Sequence, residues 1–265
     1  MAKLIPIDTK KQILAMIENG KSLNFISKET GVNKTTIYYH YRKIQGKKIK
    51  SVKINTQDLE MLGEFLGIFA GDGYANISKN YNYTIRLFFN IREEAYVQSL
   101  EKILTKFFGK RPMKYYRKKD NLTTLRYDSR CIYDLISRYI SWKRGGKGSK
   151  SRTIKLIKTE KYDKFKIGFL RGCLDSDGYI SKNKIEFATA SGDLAATVCE
   201  FVKALEFDFS YTIRIDKRPN RAPMHMIYVY KNERERFLKL IKPRNFECAG
   251  RDAQPRWMCL HQQYV

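Results

Sequence analysis

Two aspartates, Asp72 and Asp177, each close a short apolar stretch, "LGIFAGDGY" at 66–74 and "LRGCLDSDGYI" at 170–180. Each follows a small residue, Gly71 or Ser176, and precedes a glycine, Gly73 or Gly178. Small residues also recur four apart: Gly67 and Gly71 in the first stretch, Gly172 and Ser176 in the second. On a helix that spacing shares one face, and a face without bulk lets two helix backbones approach closely. A mid-helix glycine costs about 1 kcal/mol relative to alanine, so close packing must more than offset it. Laid side by side, the two helices would bring both C-terminal ends and both carboxylates together. Helix C-termini carry partial negative charge, so such a pairing calls for cations. The carboxylates, with the backbone carbonyls of Gly71 and Ser176, form an oxygen-only donor set suited to Mg²⁺. Two such sites against a basic surface suit in-line phosphodiester hydrolysis. A plain helix-terminating role explains one aspartate adequately and two at matching places poorly. Gly73 and Gly178 are expected in the left-handed conformation that ends a helix.

The surface is indeed basic. Among 265 residues, 52 Lys and Arg stand against 27 Asp and Glu, a net charge of +25. A field of that size attracts polyanions, and 18 tyrosines are interleaved with the basic residues, so nucleic acid is the first partner to consider. A hydrophobic share of 43% describes a folded chain with a sizeable core. The five cysteines are scattered without a CxxC pair, which indicates neither a disulfide framework nor a zinc ribbon. Cys248, Cys259, His225 and His261 match no usual zinc spacing and read as packing residues. The N-terminus lacks the apolar core of a signal peptide, and no run reaches the ~18 apolar residues of a membrane span. A soluble, cytoplasmic, intracellular protein without a membrane partner is expected.

The elements that must position the aspartates occur twice. An apolar helix from about 58 to 71 leads into two strands, of which "YTIRLFF" alternates, with Tyr83, Ile85, Leu87 and Phe89 on one face and Arg86 on the other. An amphipathic helix carrying Tyr96, Val97, Leu100 and Leu104 ends at Gly109. Strands at 112–119 and 122–128 and a helix at 130–140 complete the unit. After the Gly-, Ser- and Lys-rich 143–160, read as a linker, the same order recurs over 161–241. The outward faces of the strands offer Arg86, Arg126 and Arg214 to base edges or phosphates.

Residues 8–45 read as three short helices, with Ser22 a cap, Gly31 a break, and Ile37, Tyr41 and Ile44 the buried stripe of the third. "ISKETGVNKTTIYYHYRKI" resembles the helix-turn-helix of resolvases and invertases over about 20 residues. Its outward face would present Thr35, Thr36, Tyr39, Arg42 and Lys43 to DNA. The domain plan is then 1–45 helix-turn-helix, 46–57 basic linker, 58–142 first repeat, 143–160 linker, 161–241 second repeat, and 242–265 an unassigned tail.

"FLGIFAGDGY" and "FLRGCLDSDGY" together resemble the paired motifs of single-chain LAGLIDADG homing endonucleases, and the likeness covers about 58 to 241. The resemblance implies an α+β fold: two pseudo-symmetric αββαββα repeats with antiparallel, saddle-shaped sheets draped on DNA and the motif helices as the seam. It implies that the last motif aspartate of each copy, Asp72 and Asp177, is the metal ligand. The earlier motif aspartate is Asp175 in the second copy and Ala70 in the first, a departure at a position that is not the principal ligand. The family often adds a lysine near the reacting water, for which Lys143 and Lys242 are candidates. The activity implied is site-specific cleavage of both strands of a long asymmetric DNA site by a monomer, encoded within an intron or free-standing. The initial Met1 and the lack of a terminal His-Asn pair argue against an intein. A non-catalytic transcription regulator on the same core is the main alternative, disfavoured because both aspartates are retained. An RNA maturase that aids intron splicing is a second, since a basic saddle also suits structured RNA.

Overall fold

The computed structural model describes residues 5–45, 52–78, 81–145, 149–216 and 222–249. The chain divides into two compact units, 1–51 and 52–265.

The first unit is all helical: α1 (Ile7–Glu18), α2 (Leu23–Thr30) and α3 (Lys34–Gln45). Its core is small, built from Ile13, Ile17, Ile26 and Ile37, with Tyr41 packed against it. Ser22 caps α2 by accepting the Phe25 N–H at 3.2 Å, and Gly31 ends that helix at φ 65°. The hydroxyl of Ser27 bonds the Val32 carbonyl at 2.8 Å, which ties the turn to α2. Ile44 departs from the expected buried stripe and is 43% exposed. It lies in the last turn of α3, where the neighbouring Gln45 is the residue that reaches α1, donating from Nε2 to the Ile17 carbonyl at 3.1 Å. The basic linker continues through 46–51, which lie outside the described residues.

The second unit is α+β. Helix α4 (Leu59–Asp72) leads into β1 (Gly73–Ile77) and β2 (Tyr83–Asn90), then α5 (Glu94–Phe108), β3 (Met113–Arg117), β4 (Leu122–Asp128) and α6 (Arg130–Tyr139). The strands form an antiparallel sheet in the order β1-β2-β4-β3. The pattern repeats with α8 (Asp163–Asp177), β7 (Gly178–Ile180), β8 (Ile185–Thr189), α9 (Gly192–Ala204), β9 (Phe209–Arg214), β10 (Met224–Val229) and α10 (Arg234–Ile241). Its sheet has the order β7-β8-β10-β9, the same topology. The inward residues Ile85, Leu87 and Phe89 of β2 are buried, as their alternation requires, and Tyr96, Val97, Leu100 and Leu104 of α5 cover them.

Two features depart from the sequence reading. The segment read as a linker is structured where described: β5 (Ile140–Ser141) pairs with β6 (Lys155–Leu156) around α7 (Ser149–Thr153). Ile154 is buried, and its carbonyl accepts the Ser191 hydroxyl at 2.6 Å, so tertiary contacts override a loop-like composition. Past α10, Arg244–Ala249 forms a short helix, α11, and 250–265, with Cys259 and His261, lie outside the described residues.

Candidate active site at the paired helix ends

Helices α4 and α8 meet along their small faces. A Cβ at Gly67 would stand 2.3 Å from the Phe169 carbonyl oxygen, and one at Gly172 would stand 2.2 Å from that of Glu64. The same holds one turn earlier, where Gly63 faces the Phe165 carbonyl and Gly168 the Glu60 carbonyl, at 2.2 and 1.9 Å from a Cβ. An offset of 105 positions relates these contacts pairwise, so the seam obeys the pseudo-twofold of the repeat. Gly63 and Gly168 belong to it beside Gly67, Gly71, Gly172 and Ser176. Extending the four-residue spacing backwards by one turn would have found both.

At the far end of the seam the two helix C-termini coincide. A Cβ on Gly71 would meet Ser176 Oγ at 2.2 Å and Asp177 Oδ2 at 2.8 Å. The Asp177 carboxylate thus lies against the end of the opposite helix. Asp72 and Asp177 are the last helical residues of α4 and α8, and both are half-buried. Ser176, which stands where the first copy has Gly71, turns its hydroxyl back to the Gly172 carbonyl at 2.9 Å.

Gly73 and Gly178 are extended, with φ −85° in each, and are not left-handed. The chain passes straight from helix into strand while their N–H groups still bond Phe69 O and Leu174 O. Glycine is required there for space: a Cβ would come within 2.3 Å of the Phe69 ring or 2.2 Å of the Leu174 side chain.

The lysine at this place is Lys150, delivered by α7. Its Nζ donates to the carbonyls of Phe69, Ala70 and Gly71 at 2.8, 2.8 and 3.2 Å. Phe69 O already accepts the Gly73 N–H, whereas the Ala70 and Gly71 carbonyls belong to the last turn, which a helix leaves unsatisfied by its own geometry. Burial of the ammonium lowers its pKa to about 8, against the opposing pull of Asp177 and Asp72. Lys143 and Lys242 are both exposed, and Lys242 ends α10 with φ 52°. Sequence spacing carries no signal for Lys150, because a tertiary loop brings it to the site.

Behind the seam lies a buried ionic cluster. Glu64, 0% exposed, accepts from Arg171 Nη1 at 2.9 Å and from Arg244 Nε and Nη2 at 2.6 and 3.0 Å. Arg171 also reaches Glu60 and the Ile241 carbonyl. Asp175 accepts the backbone N–H groups of Arg244 and Asn245 at 3.1 and 2.9 Å, tying α11 to α8. Burial pushes its carboxyl up to about 7. The matching motif position in the first repeat, Ala70, is buried at 4% and carries no carboxylate.

On the outward side of the first sheet, Arg86 and Arg126 are directly paired across β2 and β4. Like charges in register repel, and Asp128 relieves the clash by accepting from Arg126 Nε at 2.9 Å. Arg214 is exposed on β9 opposite Met224. In the first unit Thr35, Tyr39, Arg42 and Lys43 are exposed or partly so and Thr36 flanks them, with the Lys43 ammonium 4.7 Å from the Tyr39 ring centre. Among the described residues no group of three or more His, Cys, Asp or Glu is placed to hold a metal. Any cation at the seam would therefore rest on the two aspartates, helix carbonyls and the ligand's own oxygens.

The LAGLIDADG-like domain family model matches residues 164–242, which run from α8 through α10. This chain carries a LAGLIDADG-like domain. Solved structures extend the likeness in fold over both αββαββα repeats. Mesophilic variants of the homing endonuclease I-DmoI match with TM-score 0.52 and 15% identity, covering 69% of this chain and 95% of theirs. A crystal structure of I-DmoI in complex with DNA and Ca matches with TM-score 0.51 and 14% identity, covering 78% and 100%. These likenesses establish the homing-endonuclease fold. A replication factor C small subunit from Methanocaldococcus jannaschii is 24% identical over 182 residues, a match that spans 69% of this chain and only 9% of that relative's length.

Proposed function

We propose that this chain is a metal-dependent, site-specific double-strand DNA endonuclease. The observation that carries the reading is the convergence of Asp72, Asp177 and the Lys150 ammonium at one end of a glycine-lined helix seam. Crystal structures of I-DmoI hold its target DNA with Mg, or DNA with Mn or Ca, which supports a divalent cation and a duplex as the ligands here. The donor set fits such an ion, because every group is an oxygen. Asp72 and Asp177, with the carbonyls of Gly71 and Ser176, would hold the cation, and Mg²⁺ is the species expected. A cation there would supply the electrophile that polarises the scissile phosphate.

The chain's own residues supply the rest. The glycine seam fixes the two carboxylates relative to each other, because neither helix can move without opening backbone contacts. Lys150, held on three carbonyls of the α4 end and with its pKa lowered by burial to about 8, places a positive charge next to the two carboxylates. Arg86, Arg126 and Arg214 read base edges or adjacent phosphates from the outward sheet faces. The two sheets carry different residues at matching positions, so the site they read is asymmetric, and one chain with two repeats serves as a monomer. The three-helix unit adds a tethered grip on DNA through Thr35, Thr36, Tyr39, Arg42 and Lys43.

Incubation with Mg²⁺ and a randomised duplex library tests the reading directly. Sequencing should recover one long family of targets cut on both strands at a fixed position. Selection of a duplex without cleavage would favour the transcription-regulator alternative, and selection of folded RNA over DNA the maturase one.

A further inference from the structure

Each repeat ends in a short helix that follows its last long one: α7 comes after α6, and α11 after α10. Both short helices cross to the other repeat. The start of α9 stands against α7, and there the Ser191 hydroxyl donates to the carbonyl of Ile154, just past α7, at 2.6 Å. The start of α5 stands against α11, and there Asn245 Nδ2 donates to Glu93 Oε1 at 2.7 Å. Each short helix also sends a side chain back to the end of its own repeat's motif helix. Lys150 Nζ reaches the carbonyls of Phe69, Ala70 and Gly71 on α4. Asn245 Nδ2 reaches the Asp175 carbonyl on α8 at 3.2 Å. Asp175 follows Ala70 by the same offset of 105 positions that relates the seam glycines. Lys150 and Asn245 therefore donate to matching carbonyls at the two helix ends.

The two donors differ in charge. Lys150 brings an ammonium to the α4 end, against which the Asp177 carboxylate also lies. Asn245 brings a neutral carboxamide to the α8 end. Arg244, the cation of α11, is committed to Glu64 at 2.6 and 3.0 Å. The α8 end also carries the Asp175 carboxyl where the α4 end has Ala70. A fixed positive charge stabilises the negative charge that builds on a phosphate under attack, and a neutral amide does so less. The strands of a duplex are related by a twofold axis, as are the two helix ends, so each end serves one strand.

We propose that Asn245 is the positioning residue of the α8 end, the neutral counterpart of Lys150, and that this difference makes the chain cut its two strands in a fixed order, the strand served by Lys150 first. Each cut adds one water across one P–O bond, leaving a phosphate monoester and a hydroxyl, and needs no other reactant. The order presupposes the endonuclease reading and adds to it a residue and a sequence of events.

The test uses the duplex that the intact chain selects from a randomised library, with a different dye on each strand. In single turnover with Mg²⁺, one strand should be nicked about 10-fold faster than the other, and a singly nicked duplex should accumulate. Lys150→Met should slow the faster strand and bring the two rates within about 3-fold. Asn245→Ala should slow the other strand and widen the ratio. Both bonds belong to the same complexes, so partial unfolding of a variant lowers the two rates together and leaves their ratio unchanged. Equal rates in the wild type, an unchanged ratio in either variant, or a narrowed ratio in Asn245→Ala would each overturn the proposal while the endonuclease reading stands. If neither strand is cut, that reading fails first and the fixed order with it.

Discussion

Asp72→Asn and Asp177→Asn each remove one negative charge at nearly constant volume, so they separate chemistry from packing. Either should reduce double-strand cleavage by about 10²-fold or more, since the charge that holds a cation acts mostly in the transition state. Binding of the same duplex in Ca²⁺ should stay within a few-fold, measured by gel shift beside single-turnover cleavage. Wild-type rates in both variants would remove the aspartates from the site. Lys150→Met poses a different question. It strips the donor from three carbonyls of α4 and leaves two aspartates without their neighbouring cation. A cost of about 1–3 kcal/mol in unfolding free energy follows from the unsatisfied groups, together with a loss of cleavage. An unchanged denaturation midpoint would mean that water replaces the ammonium without cost.

The seam is the element whose logic is most legible in the sequence. Gly67, Gly71, Gly172 and Ser176 are readable because a four-residue spacing of small residues has one geometric meaning on a helix. Gly67→Ala isolates that meaning, since alanine is the better helix former by about 1 kcal/mol. Its Cβ would nevertheless stand 2.3 Å from the Phe169 carbonyl, a backbone atom that cannot swing aside. A net loss of about 1–3 kcal/mol is expected, read from chemical denaturation, and a stabilised Gly67→Ala would mean that the helices part easily. What is not legible shares one physical cause. Lys150 and the Glu64–Arg171–Arg244 cluster join positions from 79 to 180 residues apart, and no local period marks such a pairing. Gly73 and Gly178 are legible as glycines but not as extended ones, because helix stop and close approach favour the same residue. Asp175 gives the α8–α11 contact a pH signature. Its carboxyl, raised to about 7 by burial from an ordinary 3.8, keeps a proton that the unfolded chain has lost. The folded state binds more protons in that window, so stability falls as pH rises from about 4 to 7. Asp175→Asn should flatten that slope in melting scans, and an identical pH profile would show that the carboxyl is already ionised when folded.

At the scale of the whole molecule, 1–51 and 52–265 are separate compact units, and both aspartates and Lys150 belong to the second. The chemistry should therefore survive loss of the first. The first unit has its own four-isoleucine core and a capped second helix, and its Tyr39, Arg42 and Lys43 are exposed or partly so, offering charge and an aromatic surface to a duplex. Two DNA-binding units on one chain raise each other's effective concentration, so the gain appears in affinity and not in the turnover of bound substrate. Removing residues 1–51 should weaken binding to the selected duplex and reduce the slope of log K against log salt. That slope should shrink by about 0.9 for every phosphate the three-helix unit neutralises. At saturating protein and low salt, the shortened chain should cut the same phosphodiester bonds at a similar single-turnover rate. Footprints of the two forms should differ by one flank, protected by the intact chain and open in the shortened one. Identical footprints and salt slopes would mean that the three-helix unit does not touch DNA, and a protein partner would then be the better assignment for its α3 face.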